Sequence, residues 1–282
     1  MTDAVSSENY TEDYYLQRCG GVEFFKVYGA KILKPVMQSA VLAARLKPGH
    51  KILDLGCGRG EVTAHLTQKG FDALGIDYAR EAVETARKAF PGARFACADL
   101  AKPDLPDASF DRVMCLGTIE HLTDDQIRVL FEQASRLLKP GGLFVVTTCV
   151  NRLYYKAWSY RLRAALAAFG RALGLSTRVP QPPRSEEDEA LHINEQDYFD
   201  LKGWGRKMGW AARVEPRPNP KLSTEALYGD PLPDGFPLKA RPVWKQRLYR
   251  RFLFWRPLSI LLARHTLAVY AKTEKDLEEA LA

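Results

Sequence analysis

The chain is poor in the features that would place a protein outside the cell or across a membrane. Its 282 residues contain only five cysteines, scattered with no CxxC pair and no His/Cys cluster at metal-ligand spacing. That argues against a disulfide framework and against a zinc site, so the cysteines are expected to be reduced and no metal site is expected. Nowhere does the chain approach the roughly 18 uninterrupted apolar residues that a spanning helix needs. The opening MTDAVSSENYTEDYY is acidic and polar and lacks the basic flank and apolar run of a secretory signal. A cytoplasmic protein is therefore the expectation. No internal repeat is present, which excludes solenoids and propellers. What is there is a globular composition, 46% hydrophobic and 27% charged with 20 glycines, enough for one large domain carrying insertions.

The net charge of +7 is unevenly placed. Residues 151–178 hold six Lys and Arg and residues 237–264 hold eight, with no Asp or Glu in either stretch. Subtracting those fourteen charges from +7 leaves the rest of the chain at −7, so the basicity belongs to two segments and not to the whole protein.

From Lys51 onward, short apolar runs alternate with helical patterns, the signature of βαβ units and a parallel sheet. Strands are predicted at 51–55, 73–76, 94–97, 110–116, 142–148 and 265–271, and helices at 61–68, 80–90, 124–138 and 195–208. The most informative stretch is Asp54-Leu-Gly-Cys-Gly-Arg-Gly60, at the carboxyl end of the first strand, where open α/β sheets bind ligands. Its glycines allow a tight turn and a close backbone approach to a ligand. Glycine loops of this kind also serve dinucleotides, so the surrounding acids decide. Asp54, Asp77 and Asp99 end or follow three successive strands and converge on one sheet edge. A pyrophosphate would be repelled there by Asp54. S-adenosylmethionine carries no phosphate; its sulfonium, ammonium, ribose diol and adenine amine are groups that carboxylates serve.

The blocks LDLGCGRGEVT, LGIDYAREAVETAR, ACADL, FDRVMCLGTIEHL and LLKPGGLFVVTT, in that order over about residues 48–149, resemble the class I S-adenosylmethionine-dependent methyltransferases. Within them they resemble the branch that includes the ubiquinone/menaquinone-type enzymes. The resemblance implies an α/β, Rossmann-like, seven-stranded, mostly parallel sheet of order 3-2-1-4-5-7-6 with an antiparallel last strand and helical insertions near the acceptor site. It implies that Asp54, Gly56, Cys57 and Gly58 surround the methionine part and that Leu116-Gly-Thr118 lies under it. Asp77 would bind the ribose hydroxyls with Tyr78 beside the adenine, and Asp99 and Leu100 would hold the adenine edge. Each Asp could instead cap a helix, Asp77 in particular. Cys57 reads as a small loop residue and not as a nucleophile. Tyr14–Gly21 would fold over the cofactor as a lid, Arg18 facing the cofactor carboxylate and Tyr14 or Tyr15 the transferred methyl; an ordinary helix on the sheet edge would look the same.

The chain accordingly divides into 1–46, an N-terminal helical lid; 47–149, the cofactor-binding core; 150–191, a basic amphipathic insertion; and 192–282, the rest of the sheet with a second basic insertion at about 216–264. Glu120, His121 and His192 are the candidate catalytic residues, since a base is needed only if the acceptor must lose a proton. For Glu120 and His121 a cofactor-shell role is the alternative, and for His192 a helix-entry role. His65 reads as a surface or packing residue. In 151–178, Tyr154, Trp158, Leu162, Leu166, Phe169 and Leu173 recur at helical spacing, with Arg152, Lys156, Ser159, Arg163 and Arg171 on the other face. The second insertion interleaves Arg and Lys with Trp244, Tyr249, Phe252, Phe254 and Trp255. Basic and aromatic together suit an anionic membrane surface on the inner face of the membrane, or a lipid-linked or phosphate-bearing small-molecule acceptor. They also suit RNA, the less favoured partner, because no separate RNA-binding domain is visible. The tetrapeptide of amino-methylating enzymes is also absent, and Leu116-Gly-Thr-Ile119 stands in its place. A cap closing the acceptor pocket is the remaining reading. O-methylation is the expected reaction.

Overall fold

Apolar runs buried on both sides make the central strands. In the computed structural model, which describes residues 5–148, 151–154, 159–177, 179, 180, 190–218 and 256–282, β1 (Lys51–Leu55) is buried at every position after Lys51. Such continuous burial is what a parallel strand with helices on both faces requires. Alternate residues of β1 serve opposite cores. Leu53 and Leu55 join Phe131, Phe144 and Tyr270 on one face, while Ile52 joins Leu66, Met114 and Val145 on the other.

Seven strands form one sheet in the order β3-β2-β1-β4-β5-β7-β6. They are β1, β2 (Asp72–Asp77), β3 (Arg94–Cys97), β4 (Phe110–Leu116), β5 (Leu138–Thr148), β6 (Ala211–Pro218) and β7 (Ala263–Ala271). Only β7 runs against its neighbours, pairing antiparallel with both β5 and β6. Helices α1 (Val22–Tyr28) and α2 (Pro35–Ala43) precede the sheet; α3 (Glu61–Gln68), α4 (Arg80–Ala89) and α5 (Asp124–Leu137) make the crossovers. Then come α6 (Tyr160–Ala172), α7 (Tyr198–Met208), α8 (Arg256–Leu262) and α9 (Glu274–Leu281). The fold class, the strand order and the reversed β7 agree with what the sequence implies.

Three differences have local causes. The strand β6 has no predicted counterpart, because five of the eight residues of AARVEPRP are charged or proline and it pairs only along one edge, with β7. The second insertion is therefore shorter than expected: 216–218 belong to β6, and 256–264 form α8 and the start of β7. Tyr154 is not on the amphipathic helix; it is buried in the turn before it. Trp158, Trp244, Tyr249, Phe252, Phe254 and Trp255 lie outside the described residues.

Candidate functional site

The carboxyl ends of β1, β2 and β4 open on a cavity of about 370 Å³, roofed by the N-terminal segment. Its floor is the glycine turn after β1. The Gly56 backbone is left-handed at φ +72, and a Cβ there would lie 2.5 Å from the Thr118 side chain, so only glycine fits. Gly56, Cys57 and Gly58 line the cavity, with Asp77, Tyr78, Asp99 and Leu100 from the next two strand ends and Leu116 from β4. Burial raises the Cys57 thiol pKa well above its ordinary value, which keeps it protonated and excludes it as a nucleophile.

Asp77 holds this end together. One carboxylate oxygen accepts from the Gly58 N–H at 3.0 Å and the other from the Ala79 N–H at 3.0 Å. Burial raises its pKa, and those backbone donors oppose the shift. A carboxylate has about four acceptor positions, so its backbone donors leave capacity for a ribose hydroxyl. The helix-cap alternative is half right: Asp77 bonds the turn into α4, but the N-cap position itself is Ala79. Asp99 accepts from the Ala101 N–H at 2.8 Å and stays exposed beside Leu100.

Two of the expected cofactor residues stand apart from the cavity lining. Asp54 does not line the cavity: it points back under the loop, 3% exposed, and accepts from the Thr63 hydroxyl at 2.8 Å. Arg18 lies outside it as well, half exposed and paired with Asp13 at 2.9 Å. The cation that ties down the N-terminal segment is Arg59, inside the glycine motif itself. Its guanidinium donates to the carbonyls of Tyr15 (3.0 Å), Cys19 (3.4 Å) and Gly20 (3.3 Å) and to Glu61 (2.8 Å). The Lys34 ammonium donates to the Gly20 carbonyl at 2.8 Å and reaches the cavity wall. The sequence signal was available, since Arg59 and Glu61 flank Gly60, but charged residues in a glycine loop ordinarily face solvent. His65 is a packing residue, its ring N–H bonding the Ala30 carbonyl at 2.8 Å beneath the same segment.

Burial pushes the Asp54 carboxyl up to about 7, opposed by the Thr63 hydrogen bond. The folded chain therefore keeps that proton to about pH 7, whereas the unfolded chain releases it near 3.8. Between these values the native state binds more protons, so stability falls as pH rises through the window. Ligand-free wild type should show a urea midpoint that declines from pH 5 to pH 8. Asp54→Asn, which keeps an acceptor for Thr63, should flatten that decline; an unchanged slope would remove Asp54 as its source.

The third group of residues follows β4. A short 3-10 turn, Ile119–His121, carries Glu120 (1% exposed) and His121 into the cavity wall. Facing it is the segment after the first insertion, fixed by Asn194. The Asn194 N–H donates to the Glu120 carbonyl at 3.1 Å and its side-chain amide to Leu122 and Asp124 at 3.0 and 2.9 Å. His192 is thereby laid edge-on to His121, ring centres 4.7 Å apart. The His121 Nδ1 lies 2.9 Å from the Leu191 carbonyl, which can only accept; Nδ1 thus carries the proton and Nε2 the lone pair. Burial holds the His121 pKa down to about 4, so the ring is neutral at physiological pH. Glu120, His121 and His192 each place a ligand atom within 4.8 Å of the other two. A carboxylate and two imidazoles are a donor set that suits a divalent transition ion. No such grouping is visible along the chain, because His192 is remote in sequence and joins the others only through the fold.

The far end of the cavity is polar. Thr147, Thr148, Arg264 and His265 line it where β5 meets β7. Thr148 is 1% exposed and its hydroxyl has no hydrogen-bond partner among the described residues, while the His265 ring interacts with the Thr148 backbone. Burial first, then the nearby Arg264 and Lys34 cations, keep the His265 pKa at about 3.

A family described as a methyltransferase domain matches residues 52–142. A ubiquinone biosynthesis O-methyltransferase of Methylococcus capsulatus is 30% identical over 182 residues, covering 63% of this chain and 70% of that protein. The chain belongs to the class I S-adenosylmethionine-dependent methyltransferases. An uncharacterized methyltransferase of Synechocystis is 35% identical over 103 residues, 36% of this chain; the match spans only 48% of that relative's length. In fold, the chain is similar to a TehB-like methyltransferase from Corynebacterium glutamicum, with TM-score 0.52 and 17% identity over 93% of this chain and 98% of the other.

S-adenosylmethionine is the cofactor of the class, and the cavity fits it: acids gather at the β2 and β3 ends, and Asp77 has acceptor capacity left for the ribose. Losing charge-assisted hydrogen bonds costs on the order of 1.5–3 kcal/mol. Asp77→Ala should therefore weaken S-adenosylmethionine binding by roughly 10–150-fold in calorimetry. Wild-type affinity would rule out the ribose role.

Proposed function

We propose that the protein transfers the methyl group of S-adenosylmethionine to an oxygen of a small-molecule or lipid-linked acceptor, with His121 as the base. The observation that carries this is the neutral His121 ring on the cavity wall, whose Nδ1–H is committed to Leu191 and whose Nε2 lone pair is left to accept a proton. The cofactor supplies a methyl carbon made electrophilic by its sulfonium. The acceptor oxygen attacks that carbon, its proton passes to His121 Nε2, and the broken C–S pair stays on sulfur. The protein's part is to hold the oxygen about 3 Å from the carbon, opposite sulfur.

The acceptor class is read from the other end of the cavity. Arg264 and Lys34 line it, and Val36 and Met37 add apolar wall. An acceptor with an apolar body and a negative group, carboxylate or phosphate, suits this combination. The Thr148 hydroxyl, with no partner among the described residues, would otherwise cost about 1–3 kcal/mol as a buried, unsatisfied group. Transfer of labelled methyl to fractionated cell extract tests the reading, with label expected in the lipid or acidic-metabolite pool. Label confined to RNA would overturn it.

A second reading rests on the approach of Glu120, His121 and His192. A divalent cation held there would lower the acceptor's pKa in place of a base. Dialysis against a chelator separates the two: turnover survives it under the first reading and is lost, then restored by the added cation, under the second.

A further inference from the structure

Helix α6 is built inside out for a surface helix. Its inward residues are small: Ala167 (8% exposed) and Gly170 are buried, and the Thr177 hydroxyl folds back to donate to the Ala167 carbonyl at 2.7 Å. Its large apolar side chains face outward, Leu162 at 62% exposure, Leu166 at 61%, Phe169 at 65% and Leu173 at 62%. At about 100° per residue these four fall within roughly 60° of one another, a single stripe along the helix. Leu175 and Val179, 59% and 51% exposed, extend the apolar surface past the helix end. Isolated exposed apolar residues are normal; a contiguous stripe of large ones marks an interaction surface.

The charges identify what the stripe meets. On the same helical projection Arg161 and Arg163 lie about 100° to either side of the stripe, and residues 151–178 hold six basic residues and no acid. A protein groove of ordinary composition has no particular reason to select a helix whose charged residues are all arginines. An anionic bilayer does, since arginines flanking an apolar stripe reach the phosphates while the stripe enters the acyl boundary. The helix, 13 residues and about 20 Å long, is too short to span. Among the described residues no helix is long and apolar enough to cross a membrane.

We propose that α6 docks the protein on an anionic lipid surface, lying in its plane with Leu162, Leu166, Phe169 and Leu173 inserted and Arg161 and Arg163 on headgroup phosphates. The helix lies in sequence between two stretches that line the cavity, Thr147–Thr148 and His192. The inference does not depend on which acceptor is methylated.

The test is co-sedimentation of the full chain with vesicles of equal phosphatidylglycerol and phosphatidylcholine, and with phosphatidylcholine alone, at 50 and 500 mM salt. Wild type should bind the anionic vesicles at low salt and lose most of that binding at high salt, where the screening length falls to a few ångströms. Arg161→Gln with Arg163→Gln should weaken binding about 30-fold, taking about 1 kcal/mol per charge. Leu166→Ser with Phe169→Ser should weaken it by at least about 10-fold, because the inserted area is lost. Both double variants should keep wild-type affinity for S-adenosylhomocysteine, since none of these residues lines the cavity. Wild type that ignores anionic vesicles at low salt would overturn the proposal. So would equal binding to neutral vesicles, or apolar-stripe variants that bind like wild type. Self-association through the stripe, seen by light scattering and indifferent to vesicles, would overturn it as well.

Discussion

His121→Ala is expected to lower turnover by about 10²–10⁴-fold, the usual contribution of a positioned general base, while leaving S-adenosylmethionine affinity within a few-fold of wild type. The geometry separates the two quantities. His121 bonds the Leu191 carbonyl and touches the rings of Tyr10 and His192. The residues assigned to ribose and adenine come from the ends of β2 and β3. The pH profile is a further readout. Burial holds the His121 pKa down to about 4, so the ring is ready to accept a proton throughout the range above that value. The acidic limb of kcat/KM should accordingly lie near pH 4 and not near the ordinary histidine value of about 6.5. A limb at 6.5, or loss of cofactor affinity equal to the loss of turnover, would move His121 out of the base role. His192→Ala should preserve that acidic limb and lower turnover less, since His192 packs edge-on against His121 while the Leu191 carbonyl fixes the His121 tautomer.

Arg59→Met is expected to destabilise the protein by about 3–5 kcal/mol, the range for breaking a buried ion pair and leaving its partner charge unpaired. Arg59 is 2% exposed and its partner Glu61 is nearly as buried. It also carries three lid carbonyls and lies 5.0 Å from the centre of the Phe25 ring, so one side chain joins the glycine turn to the N-terminal segment. Urea denaturation should show the loss in the midpoint, and limited proteolysis should cut the segment before α2 much faster than in wild type. Adding Glu61→Gln should recover part of the stability, because the stranded carboxylate is removed, but not the protease resistance, because the carbonyls remain without their donor. Equal recovery of both would mean that the lid is held by the tyrosine cluster alone. That cluster, Tyr10, Tyr14 and Tyr15, is buried and packed ring on ring. Burial also raises the phenol pKa values of Tyr10 and Tyr15, so they stay protonated and add no charge.

The cofactor end was legible because each of its parts is a local feature of a strand-to-helix turn. Gly56, Cys57, Gly58, Asp77, Tyr78, Asp99, Leu100 and Leu116 sit within a few residues of strand ends that apolar patterning locates, and all of them line the cavity. The two misplaced residues show the limit of this. Position along the chain does not say which way a side chain turns, and Asp54 turns inward to Thr63. Nor does a positive charge in a lid say where it points: Arg18 finds Asp13 beside it. The sign of the second basic segment was clear, but its side chains 219–255 fall outside the described residues.

By itself, then, the sequence located six of the seven strands and the class of ligand at the β1–β3 edge, and its family resemblance implied the strand order. Parallel βα units write themselves in short-range patterns of apolar runs, glycine turns and terminal acids. Only the tertiary structure decided the rest. It set His192 against His121 through the Asn194 anchors, made Arg59 the tie between the glycine turn and the N-terminal segment, and brought Thr148 and His265 together on the cavity wall. It also turned the large side chains of α6 outward. Periodicity reveals that a helix has two faces, but which face meets the core depends on what else is packed there, and that is a property of the whole chain.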